Sequence, residues 1–67
     1  MERDELYPKA VEVAKAANPP SISNLQRYLM IGYNRASRLM DYLIEDGIVE
    51  QFETENGTGY RRKVPNV

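Results

Sequence analysis

In the stretch DELYPKAVEVAKAA, Leu6, Ala10, Val13, Ala14 and Ala17 recur at the three- and four-residue intervals of a single helix face. Asp4 and Glu5 suit the positive end of such a helix. Pro8 is tolerated only in the first turn, where its missing N–H has no partner to lose. Asn18-Pro19-Pro20 predicts the stop, because a residue preceding proline is pushed out of helical geometry. A second amphipathic run follows in SISNLQRYLM, with Ile22, Leu25 and Leu29 as its stripe. Ser23 with Gln26 fits an S-x-x-Q capping box. Gly32 then interrupts the pattern and predicts a tight turn over Met30 to Gly32.

The third run is predicted as a helix from Tyr33 to Asp46. At roughly 100° per residue, Ala36, Leu39, Met40 and Leu43 gather on one side, with Asn34, Arg38, Asp41 and Glu45 opposite. Gly47 is placed to end it in a left-handed conformation. Beyond it the period shortens. IVEQFE and GYRRKV are β-branched and aromatic, and ENGTG between them signals a hairpin. On the second strand, Tyr60, Arg62 and Val64 share one face, Arg61 and Lys63 the other. Pro65 ends the pairing. Three helices, a tight turn between the second and third, and a β-hairpin predict a mainly α winged helix-turn-helix filling residues 1–67 as one domain.

Composition narrows the chemistry. The 67 residues are 42% apolar and 28% charged, the balance of a globular domain with a small core. Cysteine and histidine are absent, which excludes disulfides, thiolate nucleophiles, the usual zinc sites and the commonest general base. No phosphate-binding G-x-x-x-x-G-K-[ST] loop occurs. Neither a catalytic set nor a cofactor or metal site is expected, so the chain reads as a non-enzymatic binding module. No apolar run approaches the ~20 residues of a membrane span, and Met1 leads into Glu2, Arg3, Asp4 and Glu5 without a signal peptide. A cytoplasmic location without membrane contact is expected.

The net charge of −1 argues against a nucleic-acid partner when taken whole, but the charges are segregated. Residues 21–40 carry Arg27, Arg35 and Arg38 with no acid; residues 56–67 carry Arg61, Arg62 and Lys63, again with none. Arg27, Arg35, Arg61, Arg62 and Lys63 are candidate phosphate contacts. On the polar side of the third helix, Asn34 and Asp41 are poor helix formers where Lys, Glu or Gln would serve a solvated face better. Arg38 can pair bidentately with guanine, Asn34 with adenine, and Asp41 can accept from cytosine. Asp41 can equally clamp Arg38 across one helical turn. Tyr28, Tyr33 and Tyr42 are expected as half-buried packing residues.

Residues SISNLQRYLMIGYNRASRLMDYLIEDGIV resemble the gamma domain of the FtsK/SpoIIIE-type DNA translocases. That family reads close to S-I-S-x-L-Q-R, then I-G-Y-N-R-A-A-R, then G-I-V. Here these are Ser21, Ile22, Ser23, Leu25, Gln26 and Arg27, then Ile31 to Ala36 with Arg38, then Gly47 to Val49. The upstream DELYPKAVEV resembles the family's first helix, so the likeness spans about residues 4 to 49. It implies a winged helix that recognises short, polar, G-rich sequences in double-stranded DNA, orients a translocase motor and activates a tyrosine recombinase. Asn34, Arg38 and Asp41 match the family's base-reading positions, with Asp41 where Glu is common, and Arg62 matches a wing arginine. Ser37 replaces a usual Ala, and the wing is longer and more acidic through Glu50, Glu53 and Glu55.

The resemblance leaves the motor unaccounted for: the chain is either a domain excised from a larger protein or a small protein using the domain alone. Two other readings of the fold stand beside DNA reading. One is a protein-docking winged helix for a recombinase or motor subunit; the other is a small phage or plasmid transcriptional regulator. For a domain of this size, tight binding is expected to require other copies on the same DNA.

Overall fold

A computed structural model describes residues 4–17 and 19–63. Helix α1 spans Tyr7–Ala16, α2 Ile22–Leu29 and α3 Tyr33–Glu45; strands β1 (Val49–Thr54) and β2 (Gly57–Arg62) follow. This is the expected winged helix. The expected stop at Asn18, the face of Val64 and the terminating role of Pro65 lie outside the described residues. No helix among the described residues is long and apolar enough to cross a membrane.

Asp4 starts α1. Its Oδ1 accepts the Leu6 N–H at 2.9 Å and its carbonyl accepts the Tyr7 N–H at 2.9 Å, so two N–H groups at the helix entry find partners. Pro8 falls in the first turn, as its chemistry requires. The helix closes at Ala16, one residue before the predicted stripe ends, because Ala17 is already extended.

The N-cap of α2 corrects the expected capping box. Ser21, not Ser23, accepts the Asn24 N–H, at 3.0 Å. Ile22 packs against the core from inside the helix, so the helix must begin before Ser23. Asn24 in turn donates its side-chain amide to the Pro19 carbonyl at 3.0 Å, tying the helix start to the preceding proline segment. At the other end, the chain turns over Met30 to Gly32 as expected, and the left-handed residue in that turn is Met30, with φ 55° and ψ 51°. That conformation costs an L-residue about 1 kcal/mol. Gly32 is extended, with φ −74°, and caps α3 without a side chain.

The end of α3 follows the expected glycine stop. Gly47 has φ +74°; its N–H donates to the Ile44 carbonyl and that of Ile48 to the Leu43 carbonyl, both at 3.0 Å. This paired closure of the last carbonyls needs a residue free of the Cβ clash at positive φ.

The hairpin pairs Val49 with Arg62, Glu50 with Arg61, Gln51 with Tyr60, Phe52 with Gly59, Glu53 with Thr58 and Thr54 with Gly57. The expected five-residue connection shrinks to the two residues Glu55 and Asn56. Ala10, Ala14, Leu25, Ala36, Leu39, Met40, Leu43 and Val49 form the core, and no polar side chain is buried among the described residues. Alanines on α1 and at the start of α3 let these helices approach closely, while Val49 draws the root of the wing inward. Tyr7 closes one end: its ring meets Tyr42 edge-on at 6.0 Å and its hydroxyl donates to the Asp46 carboxylate.

Candidate nucleic-acid interface

Burial of Ala36, Leu39, Met40 and Leu43 sets the rotation of α3 about its axis. With that face inward, Asn34, Arg38 and Asp41 must point outward, and all three are exposed. Among the described residues, no side-chain hydrogen bond or ion pair engages any of them. The alternative in which Asp41 clamps Arg38 is therefore not the arrangement found. The three side chains lie along one helix edge, one turn apart, with polar groups presented to whatever docks there.

The candidate phosphate contacts divide into two kinds. Arg27 and Lys63 are exposed, without an ion pair among the described residues. Arg35, Arg61 and Arg62 are already engaged. Arg35 grips Asp4 with two hydrogen bonds, Nε to Oδ2 and Nη2 to Oδ1, each 2.7 Å. Arg61 pairs with the Glu50 carboxylate directly across the hairpin and lies 4.9 Å over the Phe52 ring. Opposite that ring stands Gly59, where a Cβ would come within 2.5 Å of it. Arg62 donates to the Lys15 carbonyl at 2.8 Å, placing a cation at the negative C-terminal end of α1 and fastening wing to helix.

The Asp4–Arg35 pair has a measurable consequence. Chiefly through the hydrogen bonds from Arg35, and next through the Leu6 N–H, the Asp4 carboxyl is lowered from 3.8 to about 2. A carboxyl that binds its proton less readily when folded stabilises the fold above the unfolded pKa. Stability should therefore be constant with respect to this group above pH 3.8 and fall as pH drops from there through about 2. Asp4→Asn should remove this component of the acid-unfolding curve, read by circular dichroism. An unchanged curve would show that the pair does not persist in solution.

Tyr28 and Tyr33 depart from expectation. They are 65% and 59% exposed, and Met30 between them is 89% exposed. Only Tyr42 is half-buried as predicted. The three exposed groups surround the turn leading into α3 and were invisible to periodicity, since Met30 and Tyr33 lie at the helix boundaries where no face is defined.

The family described as the Ftsk gamma domain matches residues 1–64. Among known proteins, the DNA translocase SpoIIIE of Bacillus subtilis is 48% identical over 50 residues, covering 75% of this chain and 6% of that protein. The DNA translocase FtsK of Clostridium tetani shows 48% over 50 residues, 75% of this chain and 7% of its own length. FtsK of Rickettsia prowazekii shows 45% over 56 residues, 84% of this chain and again 7% of its own. The chain thus spans a small fraction of the relatives it matches.

Proposed function

The chain belongs to the FtsK gamma domain family, and on that premise we propose that it is a double-stranded DNA-binding winged helix that discriminates sequence through α3. The observation that carries this is the exposed row of Asn34, Arg38 and Asp41, without a side-chain hydrogen bond or ion pair among the described residues, on a helix whose opposite face is fully buried. Two of the three are poor helix formers, a cost that a merely solvated surface has no reason to bear. α3 enters the major groove with Arg38 toward guanine, Asn34 toward adenine and Asp41 toward cytosine. Arg27 and Lys63, with Arg35 and the wing arginines Arg61 and Arg62, face the backbone. The role is binding rather than catalysis, on the cytoplasmic side where chromosomal DNA lies. Orientation of a translocase motor on polar G-rich sequences, and activation of a tyrosine recombinase, are the family roles that such binding serves.

Fluorescence anisotropy on duplex DNA across a salt series tests the reading and also counts the cations. If only Arg27, Arg38 and Lys63 meet phosphates or bases, log K falls against log salt with a slope of about −3. If Arg35, Arg61 and Arg62 also leave their protein partners for phosphates, the six cations take the slope to about −5. Absence of binding at low salt sinks the proposal. It would favour a protein-docking winged helix, for which the exposed Tyr28, Met30 and Tyr33 are the supporting observation.

A further inference from the structure

We propose that Asn56 is a site of spontaneous, backbone-assisted deamidation, which makes the tip of the wing more acidic as the protein ages. Asn56 stands in the two-residue turn of the hairpin, is exposed, and is followed by Gly57. Its backbone N–H donates to Thr54 Oγ1 at 3.2 Å, and that hydroxyl donates to the Gly57 carbonyl at 2.7 Å. Both contacts hold the turn's backbone. Neither engages the Asn56 side-chain amide, which has no hydrogen-bond partner among the described residues.

The reaction needs the nitrogen of the following residue to reach the Asn carbonyl carbon. Gly57 carries no side chain to obstruct it, and the space where a Cβ would stand is open to beyond 4 Å. The deprotonated Gly57 nitrogen attacks Cγ of Asn56, a C–N bond forms, and the Cγ–Nδ2 bond breaks to release ammonia. Water then opens the cyclic imide at either carbonyl, leaving Asp or its β-linked isomer. One water is consumed, one ammonia is lost, and nothing is oxidised or reduced.

The other described asparagines lack this combination. Asn24 lies in α2, commits its Nδ2 to the Pro19 carbonyl, and precedes Leu25, whose N–H is bonded to the Ser21 carbonyl at 3.2 Å. Asn34 lies in α3, where helical backbone directs the next nitrogen along the axis and Arg35 follows. Selectivity for Asn56 is therefore a property of this fold as well as of the dipeptide. The new carboxylate would join Glu53 and Glu55 at the wing tip, opposing phosphates that approach the basic strand. An exposed charge of this kind changes affinity at low salt by a factor of about two to five. This consequence, unlike the chemistry, rests on the DNA-binding reading.

The test incubates the folded chain for days in neutral buffer at physiological temperature, beside Asn56→Gln. Peptide mass mapping and isoaspartyl methyltransferase labelling locate the product, and duplex binding is measured on fresh and aged samples. Conversion at Asn56, with Asn24 and Asn34 intact and Asn56→Gln unlabelled, is expected. Duplex affinity should weaken on ageing in the native chain and hold in Asn56→Gln. Conversion only after unfolding, or at Asn34 as fast as at Asn56, overturns the site. Full conversion with affinity unchanged overturns its effect on the wing. If fresh protein binds no duplex, the DNA-binding reading fails, and the mass result still decides the chemistry.

Discussion

Leu43→Ala is expected to leave the chain largely unfolded at physiological temperature. Leu43 has no exposed surface, and its carbonyl accepts the Ile48 N–H that closes α3. Truncating a buried leucine costs about 2–5 kcal/mol through lost transfer energy and the cavity left behind. At the usual stability per residue, a domain of this length has only about 3–10 kcal/mol in total. The α3 terminus and the entry to β1 both lean on this residue, so the wing should be lost together with the helices rather than separately. Urea titration followed by circular dichroism measures the loss. A midpoint close to that of the native chain would mean that the core does not depend on α3 as described.

Arg38→Ala is expected to do the opposite: keep the fold and lose the choice of sequence. Arg38 is exposed and makes no side-chain hydrogen bond or ion pair among the described residues, its charge reaching Asp4 only through space, and such substitutions usually stay within about 0.5 kcal/mol of native stability. Loss of a bidentate base contact costs about 1–3 kcal/mol of discrimination. Preference for a G-rich polar duplex over a scrambled one should therefore collapse by roughly tenfold or more, with the melting temperature unchanged. Asn34→Ala should behave alike and Asp41→Ala more weakly. Equal weakening on both duplexes would make Arg38 a phosphate contact and place the reading face elsewhere. Unfolding would mean that the rotation of α3 is other than the buried Leu39 and Leu43 imply.

The three helices, the glycine stop and the hairpin were legible because each rests on local periodicity or on one residue's backbone preference. Gly47 is an example: only position in the chain and freedom at positive φ were needed. The polar edge of α3 was legible for the same reason, since the spacing of Ala36, Leu39, Met40 and Leu43 leaves one outward direction for Asn34, Arg38 and Asp41. The capping box expected at Ser23 is not the one that forms, because Ser21 and Ser23 both satisfy the chemistry of an N-cap and packing of Ile22 selects between them. The turn over Met30 to Gly32 was legible from the break in periodicity, but which of its residues turns left-handed was not, since glycine is the residue for which that conformation is cheap. The path from α2 to α3 places it on Met30, whose side chain is left exposed.

By itself, then, the sequence determined the elements, their order and the outward edge of the third helix, all governed by contacts within a few residues. Which cations are free to meet a partner was decided by tertiary structure alone. Arg35 meets a carboxylate 31 positions away and Arg62 a carbonyl 47 positions away. No periodicity links residues so far apart, because their meeting depends on how α1 lies across α3 and where the core holds the wing. The physical reason is one of range: helix and strand patterns are written at fixed short spacing, whereas the contacts of Arg35 and Arg62 form only where packing brings two distant segments within a few ångströms.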